Sequence, residues 1–101
     1  MHSLKCCDLN DFIRAMADGT RQQILRLLQN NEMHVGELAH HLNLTQPTIS
    51  YHLAILRRSK LVISRRYGQY TLHRANQECV IQCCQNILDQ FKVSFEIQDR
   101  S

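Results

Sequence analysis

The stretch from Thr45 to Arg58 constrains the chain most, because its two sides make opposite demands on their surroundings. Thr45 is a natural helix N-cap, since its hydroxyl can accept a hydrogen bond from a first-turn amide that has no partner inside the helix. Pro47 falls near the helix start, where a missing N–H costs nothing. Ile49, Leu53 and Leu56 recur at spacings of four and three, so one side is an apolar stripe that must be buried. The other side carries Gln46, Thr48, Ser50, Tyr51 and Arg58. These are small or planar polar groups suited to base edges, with a cation suited to phosphate. A merely solvated helix usually pairs Glu with Lys on its outer side, whereas this one carries no acid. The pattern is that of a helix built to lie in a DNA groove.

The charge distribution points the same way. The 101 residues carry a formal net charge of only +3. No Asp or Glu occurs between Glu37 and Glu78, while Arg57, Arg58, Lys60, Arg65, Arg66 and Arg74 all lie in that interval. Such a block is the electrostatic footprint of a face that meets a polyanion. A chain of this length makes one domain, 1–101. With 44% hydrophobic residues its core is thin, which leaves apolar surface for a dimer. No apolar run is long enough to span a bilayer and no signal peptide is evident, so the expected setting is cytoplasmic with no membrane partner. There is no Gly-rich phosphate loop, no nucleophile with a base at motif spacing and no paired carboxylates in an apolar setting, so an enzyme is not expected.

Taken in order, residues 1–7 form an N-terminal arm. Leu9, Phe12, Ile13 and Met16 recur at helical spacing, which predicts a first helix over about 8–17. Asp18-Gly19-Thr20 breaks it, and Asp18 or Thr20 can cap a second helix carrying Ile24, Leu25, Leu27 and Leu28, which ends at Asn30-Asn31. Val35, Leu38, Ala39 and Leu42 predict a short third helix, and Asn43-Leu44 a tight turn into the Thr45 helix. Residues 34–58 are therefore a helix-turn-helix, although the turn lacks the glycine often found there. From 61 to 74 the residues are rich in β-branched and aromatic types around Tyr67-Gly68, which predicts a hairpin turning at that pair. A hairpin after a recognition helix is a wing, with Arg65, Arg66 and Tyr67 placed to reach DNA backbone or minor groove. A last helix over about 76–93 carries Val80, Ile81, Cys84, Ile87, Leu88 and Phe91, with residues from Ser94 onward expected to fray.

The chain resembles the ArsR/SmtB family of small winged-helix repressors. The resemblance rests on Met16 to Leu28, on Val35-Gly-Glu-Leu-Ala39, on Thr45 to Leu53 and on Leu56 to Val62, and the wing segment Arg65 to Tyr70 also fits. It implies a winged helix-turn-helix of five helices and a wing, a homodimer through the first and last helices, and two recognition helices reading an inverted repeat in double-stranded operator DNA. It places base contacts on Gln46, Ser50 and Tyr51, with Thr48 nearby, and implies release of the operator when an inducer binds. Arg57, Arg58, Arg65 and Arg66 are then candidate phosphate contacts.

The five cysteines are segregated: Cys6 and Cys7 in the arm, and Cys79, Cys83 and Cys84 in the last helix. The odd count suggests no disulfide framework, and thiols available for metal or redox chemistry are the reading. At about 100° per residue Cys84 falls within the apolar stripe, while Cys79 and Cys83 lie together on its flank. Thiolates select soft ions, As(III) in a three-sulfur pyramid or Zn(II) and Cd(II) with four ligands. A thiolate inducer site from Cys79, Cys83 and Cys84, joined by Cys6 and Cys7, is the expectation. The cysteines that arsenic and cadmium sensors of this family often carry at the start of the third helix are absent, since Met33-His-Val-Gly stands there. Rival readings are a redox or persulfide sensor in which two thiols close a bridge, and a regulator with no inducer site. His34, His40 and His41 are read as exposed or phosphate-facing groups, and His52 as a buried one.

Overall fold

The computed structural model describes Cys6 and residues 8–100, with side chains described through Phe91. They form α1 (Leu9–Met16), α2 (Gly19–Leu28), α3 (Val35–Leu42), α4 (Gln46–Arg58), β1 (Val62–Tyr67), β2 (Tyr70–Ala75) and α5 (Gln77–Arg100). The arrangement is a winged helix-turn-helix. Cys7 and the rest of the arm lie outside the described residues.

Each helix starts on a side chain that satisfies a first-turn amide. The Asp11 amide donates to Asp8 Oδ1 at 2.8 Å and the Arg21 amide to Asp18 Oδ1 at 3.0 Å. Asp18, rather than Thr20, is therefore the cap of α2. His34 is the cap of α3: Nδ1 accepts from the Gly36 amide at 3.0 Å, while Glu37 Oε1 accepts from the His34 amide at 3.0 Å. This is a reciprocal capping box with a ring nitrogen in place of the usual hydroxyl. A Cβ on Gly36 would stand 2.9 Å from that ring, so glycine is what lets the imidazole fold over the helix start. Thr45 Oγ1 caps α4, accepting from the Thr48 amide at 3.4 Å. The glycine missing from the turn is replaced by Asn43, held in the left-handed region at φ 56 and ψ 47. Asparagine tolerates that conformation better than other residues that carry a Cβ.

The core is the meeting of α2, α3 and α4. Ile24, Leu28, Leu38, Ile49, Leu53 and Leu56 are all buried, with Leu61 beneath the wing. Burying each such side chain stabilises the fold by about 1.5–3 kcal/mol. Arg21 ties the layers together: its Nε donates to the Ala15 carbonyl at 2.7 Å and its Nη2 to the Arg14 carbonyl at 3.2 Å. Its Nη1 donates to His52 Nδ1 at 3.1 Å. The end of α1 is thus pinned to the buried histidine of α4.

β1 and β2 pair antiparallel with Val62 opposite Ala75 and Tyr67 opposite Tyr70. The turn is therefore Gly68-Gln69, one residue later than the Tyr67-Gly68 expected, and Gly68 takes the positive φ of 62° that a glycine adopts most cheaply. Met33 adds an isolated antiparallel bridge, exchanging backbone hydrogen bonds with His73 at 3.0 and 2.8 Å. α5 continues to Arg100 where fraying was expected from Ser94. It also has two apolar sides rather than one stripe. Cys79 and Cys83 face the core, whereas Ile81, Cys84, Leu88 and Phe91 face outward.

His73 is buried at the root of the wing, with Ser64 Oγ 2.7 Å from its Nδ1. Burial chiefly, then the charges of Arg57 and His34, hold its pKa below the ordinary 6.5. Unfolded chains take up a proton near 6.5 and the folded chain does so only at lower pH, so the unfolded state binds more protons in that window. This contribution to stability is full above pH 6.5 and is lost as pH falls below it. Urea unfolding at pH 7.5 and 5.5 is expected to show this loss in the native protein and a smaller loss in His73→Gln; an equal loss in both would refute the assignment.

Candidate nucleic-acid interface and thiol pair

Burial of Ile49, His52, Leu53 and Leu56 forces the opposite side of α4 outward. Gln46, Thr48, Ser50, Tyr51, Arg57 and Arg58 are all exposed, Tyr51 at 63%. The face is not uniformly free. Thr48 Oγ1 lies 2.9 Å from Thr45 Oγ1, so its hydroxyl is shared with the cap. Gln46 shares the lining of a cleft with His34, Gly36, Tyr70, Thr71 and His73. There the His34 and Tyr70 rings stack at 4.5 Å between centroids. The start of α3 and the wing are therefore in direct contact. Arg57 and Arg58 close α4 at its other end, where cations also complement the helix dipole.

The wing departs from expectation at Arg65. Its Nε and Nη2 donate to the two carboxylate oxygens of Glu32 at 2.8 and 2.7 Å, and its guanidinium lies 5.4 Å from the Tyr67 ring centroid. The hydrogen bond from Arg65 holds the Glu32 carboxyl below its ordinary pKa, and the reciprocal bond raises that of Arg65. Arg65, expected to meet phosphate, is thus already paired with an acid. Arg66, on the other side of the strand, has only a long bond to the Gly68 carbonyl at 3.4 Å and is exposed. Glu32 was missed because it lies 33 residues from its partner, outside the acid-free interval. No local pattern in the sequence points to that pairing.

The second cluster is sulfur. Cys6 and Cys79 form a disulfide across 73 residues, with their Cα atoms 5.4 Å apart. Cys79 and Cys83 do share a flank of α5, and that flank is the core side, where both are buried. Cys84 is exposed on the outward stripe. The expected trio of Cys79, Cys83 and Cys84 is therefore not brought together, because residues 79 and 83 face inward and 84 faces outward. Among the described residues no three His, Cys, Asp or Glu side chains gather in a way that could hold a metal ion. Of the histidines, His34 caps α3, His52 meets Arg21, and His40 and His41 are exposed. Among the described residues no helix is long and apolar enough to cross a membrane.

Residues 18–64 match the profile described as bacterial regulatory protein, arsR family. Transcriptional repressor SdpR of Bacillus subtilis is 37% identical over 68 residues, 67% of this chain and 76% of SdpR. Transcriptional activator HlyU of Vibrio cholerae is 44% identical over 73 residues, 69% of this chain and 68% of HlyU. A solved structure of reduced HlyU matches with a TM-score of 0.65 at 36% identity, over 81% of this chain and 85% of that one. The homodimeric winged helix-turn-helix domain of Mb0332 from Mycobacterium bovis, a possible ArsR-family regulator, has a TM-score of 0.69 at 25% identity over 86% and 82% of the two chains.

Three substitutions separate the roles of these side chains on DNA. Arg66→Ala should weaken binding to specific and random duplexes alike and lower the salt slope by about 0.9. Gln46→Ala should cost about 1–3 kcal/mol of discrimination between them. Glu32→Ala frees Arg65, so affinity for a random duplex should rise and the salt slope steepen by about 0.9. Fluorescence anisotropy over a salt series measures all three, and an unchanged slope in Glu32→Ala would show that Arg65 does not reach phosphate even when released.

Proposed function

Because the chain belongs to the ArsR family of bacterial regulatory proteins, DNA-binding transcriptional regulators rather than enzymes, we propose that it is a dimeric repressor whose grip on operator DNA is set by the thiol state of Cys6 and Cys79. One observation carries the sensing half of this reading: the fold brings a cysteine of the arm onto the first turn of the last helix as a bonded pair. A protein that reads DNA works in the compartment that holds it. Disulfides in such reducing compartments are usually transient, catalytic or redox-sensing.

The dimer is supported by surface that a single chain leaves uncovered. Ile13 on α1 is 49% exposed, and Ile81, Leu88 and Phe91 on α5 are 65%, 63% and 62% exposed. α1 and α5 pack against each other within the chain. A two-fold axis through these outward faces would bury them, and the similar Mb0332 domain is a homodimer. It would set two α4 helices against one duplex about one helical turn apart, which fits an inverted repeat.

The two sulfurs differ in access. Cys6 is partly buried and Cys79 fully so. A peroxide is therefore attacked by Cys6 as thiolate, giving the sulfenic acid and releasing water or alcohol. The Cys79 thiol then displaces the sulfenic oxygen as a second water, forming the disulfide. Two electrons and two protons pass from the thiols to the peroxide. Gln82 Oε1 lies 3.1 Å from Cys6 Sγ. It can accept from the thiol proton in the reduced form, and the disulfide has no proton to give. The closed pair takes the place of a bound inducer and releases the operator. A metalloid alternative uses the same reduced sulfurs: As(III) would bridge Cys6 and Cys79 and require a third thiolate, for which Cys7 or Cys83 stands close in sequence.

The test is binding to the DNA upstream of the protein's own gene, measured for protein reduced with dithiothreitol and then treated with hydrogen peroxide, arsenite or Zn(II). Peroxide should weaken binding by about tenfold or more, dithiothreitol should restore it, and Cys6→Ser should abolish the response while Cys84→Ser keeps it. Release by arsenite but not by peroxide would replace the redox reading with the metalloid one. Indifference to all three would leave a regulator whose sulfurs sense nothing.

A further inference from the structure

Asn76 is the only residue between β2 and α5, and it makes four hydrogen bonds that join the thiol pair to the end of the recognition helix. Its side-chain Oδ1 accepts from the Cys79 amide at 3.4 Å, capping the first turn of α5. Its Nδ2 donates to the Lys60 carbonyl at 3.0 Å. Its backbone N–H donates to the Leu61 carbonyl at 2.8 Å, and its carbonyl accepts from the Val80 amide at 3.0 Å.

Lys60 lies just past the end of α4, after the cap Ser59. It sits in the left-handed region at φ 64, a conformation that residues with a Cβ adopt at a cost. There the Lys60 amide donates to the Arg57 carbonyl and the Leu61 amide to the Leu56 carbonyl, both at 2.9 Å. The carbonyl of this strained residue is the group that the Asn76 amide holds. One planar side chain thus touches the backbone of a disulfide cysteine at one end and the residue that closes the DNA-reading helix at the other.

We propose that Asn76 is a positioning residue that relays the state of the Cys6–Cys79 pair to the C-terminal turn of α4. The proposal rests on the redox reading above and names its route. Oxygen and nitrogen of the amide are fixed in one plane, so a shift of the Cys79 amide that carries Oδ1 with it also moves Nδ2 against Lys60. A bonded Cys6 holds the first turn of α5 to the arm; its release removes that tether. The displaced turn of α4 carries Arg57 and Arg58, both exposed. Asparagine suits the position because it accepts and donates at once, whereas aspartate accepts only, and serine can cap a helix but lacks the second arm.

Asn76→Asp and Asn76→Ser test this, because each keeps an acceptor for the Cys79 amide and loses the donor to Lys60. Binding to the same upstream DNA is measured for reduced and peroxide-treated forms of each protein. The native protein should show a ratio of about ten or more between the two forms. In both variants the reduced form should bind within about threefold of native, while the ratio falls to within about twofold of one. A native ratio near one would overturn the redox reading and this relay with it. A native ratio of ten that survives in both variants would overturn the relay alone. Amide hydrogen exchange on the native protein provides a second measurement that does not depend on the variants folding. Reduction should lower protection at Leu61 and Cys79 together, and loss at Cys79 with none at Leu61 would also overturn the relay.

Discussion

Everything outward-facing in this molecule depends on the burial of one side of α4. Ile49, Leu53 and Leu56 sit among Ile24, Leu28 and Leu38, with almost no surface left to water. Because a helix is rigid, fixing three side chains inward fixes the rest outward, and Gln46, Ser50, Tyr51, Arg57 and Arg58 have no other place to point. The outward polar face of α4 is therefore a consequence of core packing rather than of any interaction among its own polar groups. The capping threonine and Pro47 set where that helix begins, and the left-handed Lys60 sets where it stops.

Around that helix the chain is tied by a few long-range polar links, and each joins two parts with different tasks. Arg21 connects α1 to His52 in α4. The His34–Tyr70 stack connects the helix-turn-helix to the wing. Glu32 connects the α2–α3 connection to Arg65 on the wing. The disulfide connects the arm to α5, and closing a loop of 73 residues removes unfolded-state entropy worth about 4 kcal/mol in the chain-entropy account. A molecule this small has little core to spare, so a covalent tie of that size is a large share of a typical domain's stability. The pair that stabilises the fold in this way lies one asparagine away from Lys60, just past the end of α4.

Much of this was legible in the chain. The helix positions, the wing, the exposed reading side of α4 and the basic interval followed from periodicity, capping residues and charge order. These are local properties, carried by residues within one or two helical turns of each other. The family resemblance carried by Met16 to Leu28 and Thr45 to Leu53 agreed with them. The hairpin turns one residue later than its pattern suggests, at Gly68-Gln69. The last helix runs on to Arg100, past the polar stretch that begins at Ser94.

By itself, the sequence determined which residues of α4 would face outward and that the sulfurs lie toward the two ends of the chain. Only the tertiary structure decided how those residues pair. It set Glu32 on Arg65, pairing one expected phosphate contact with an acid. It bonded Cys6 to Cys79 and turned Cys84 to the opposite side of α5, dissolving the expected three-sulfur site. It also placed Asn76 between Cys79 and Lys60. The physical reason is common to all three. A helical or strand period fixes a side chain's direction relative to its own element, but partners tens of residues apart meet only through the packing of whole elements, which no local pattern encodes.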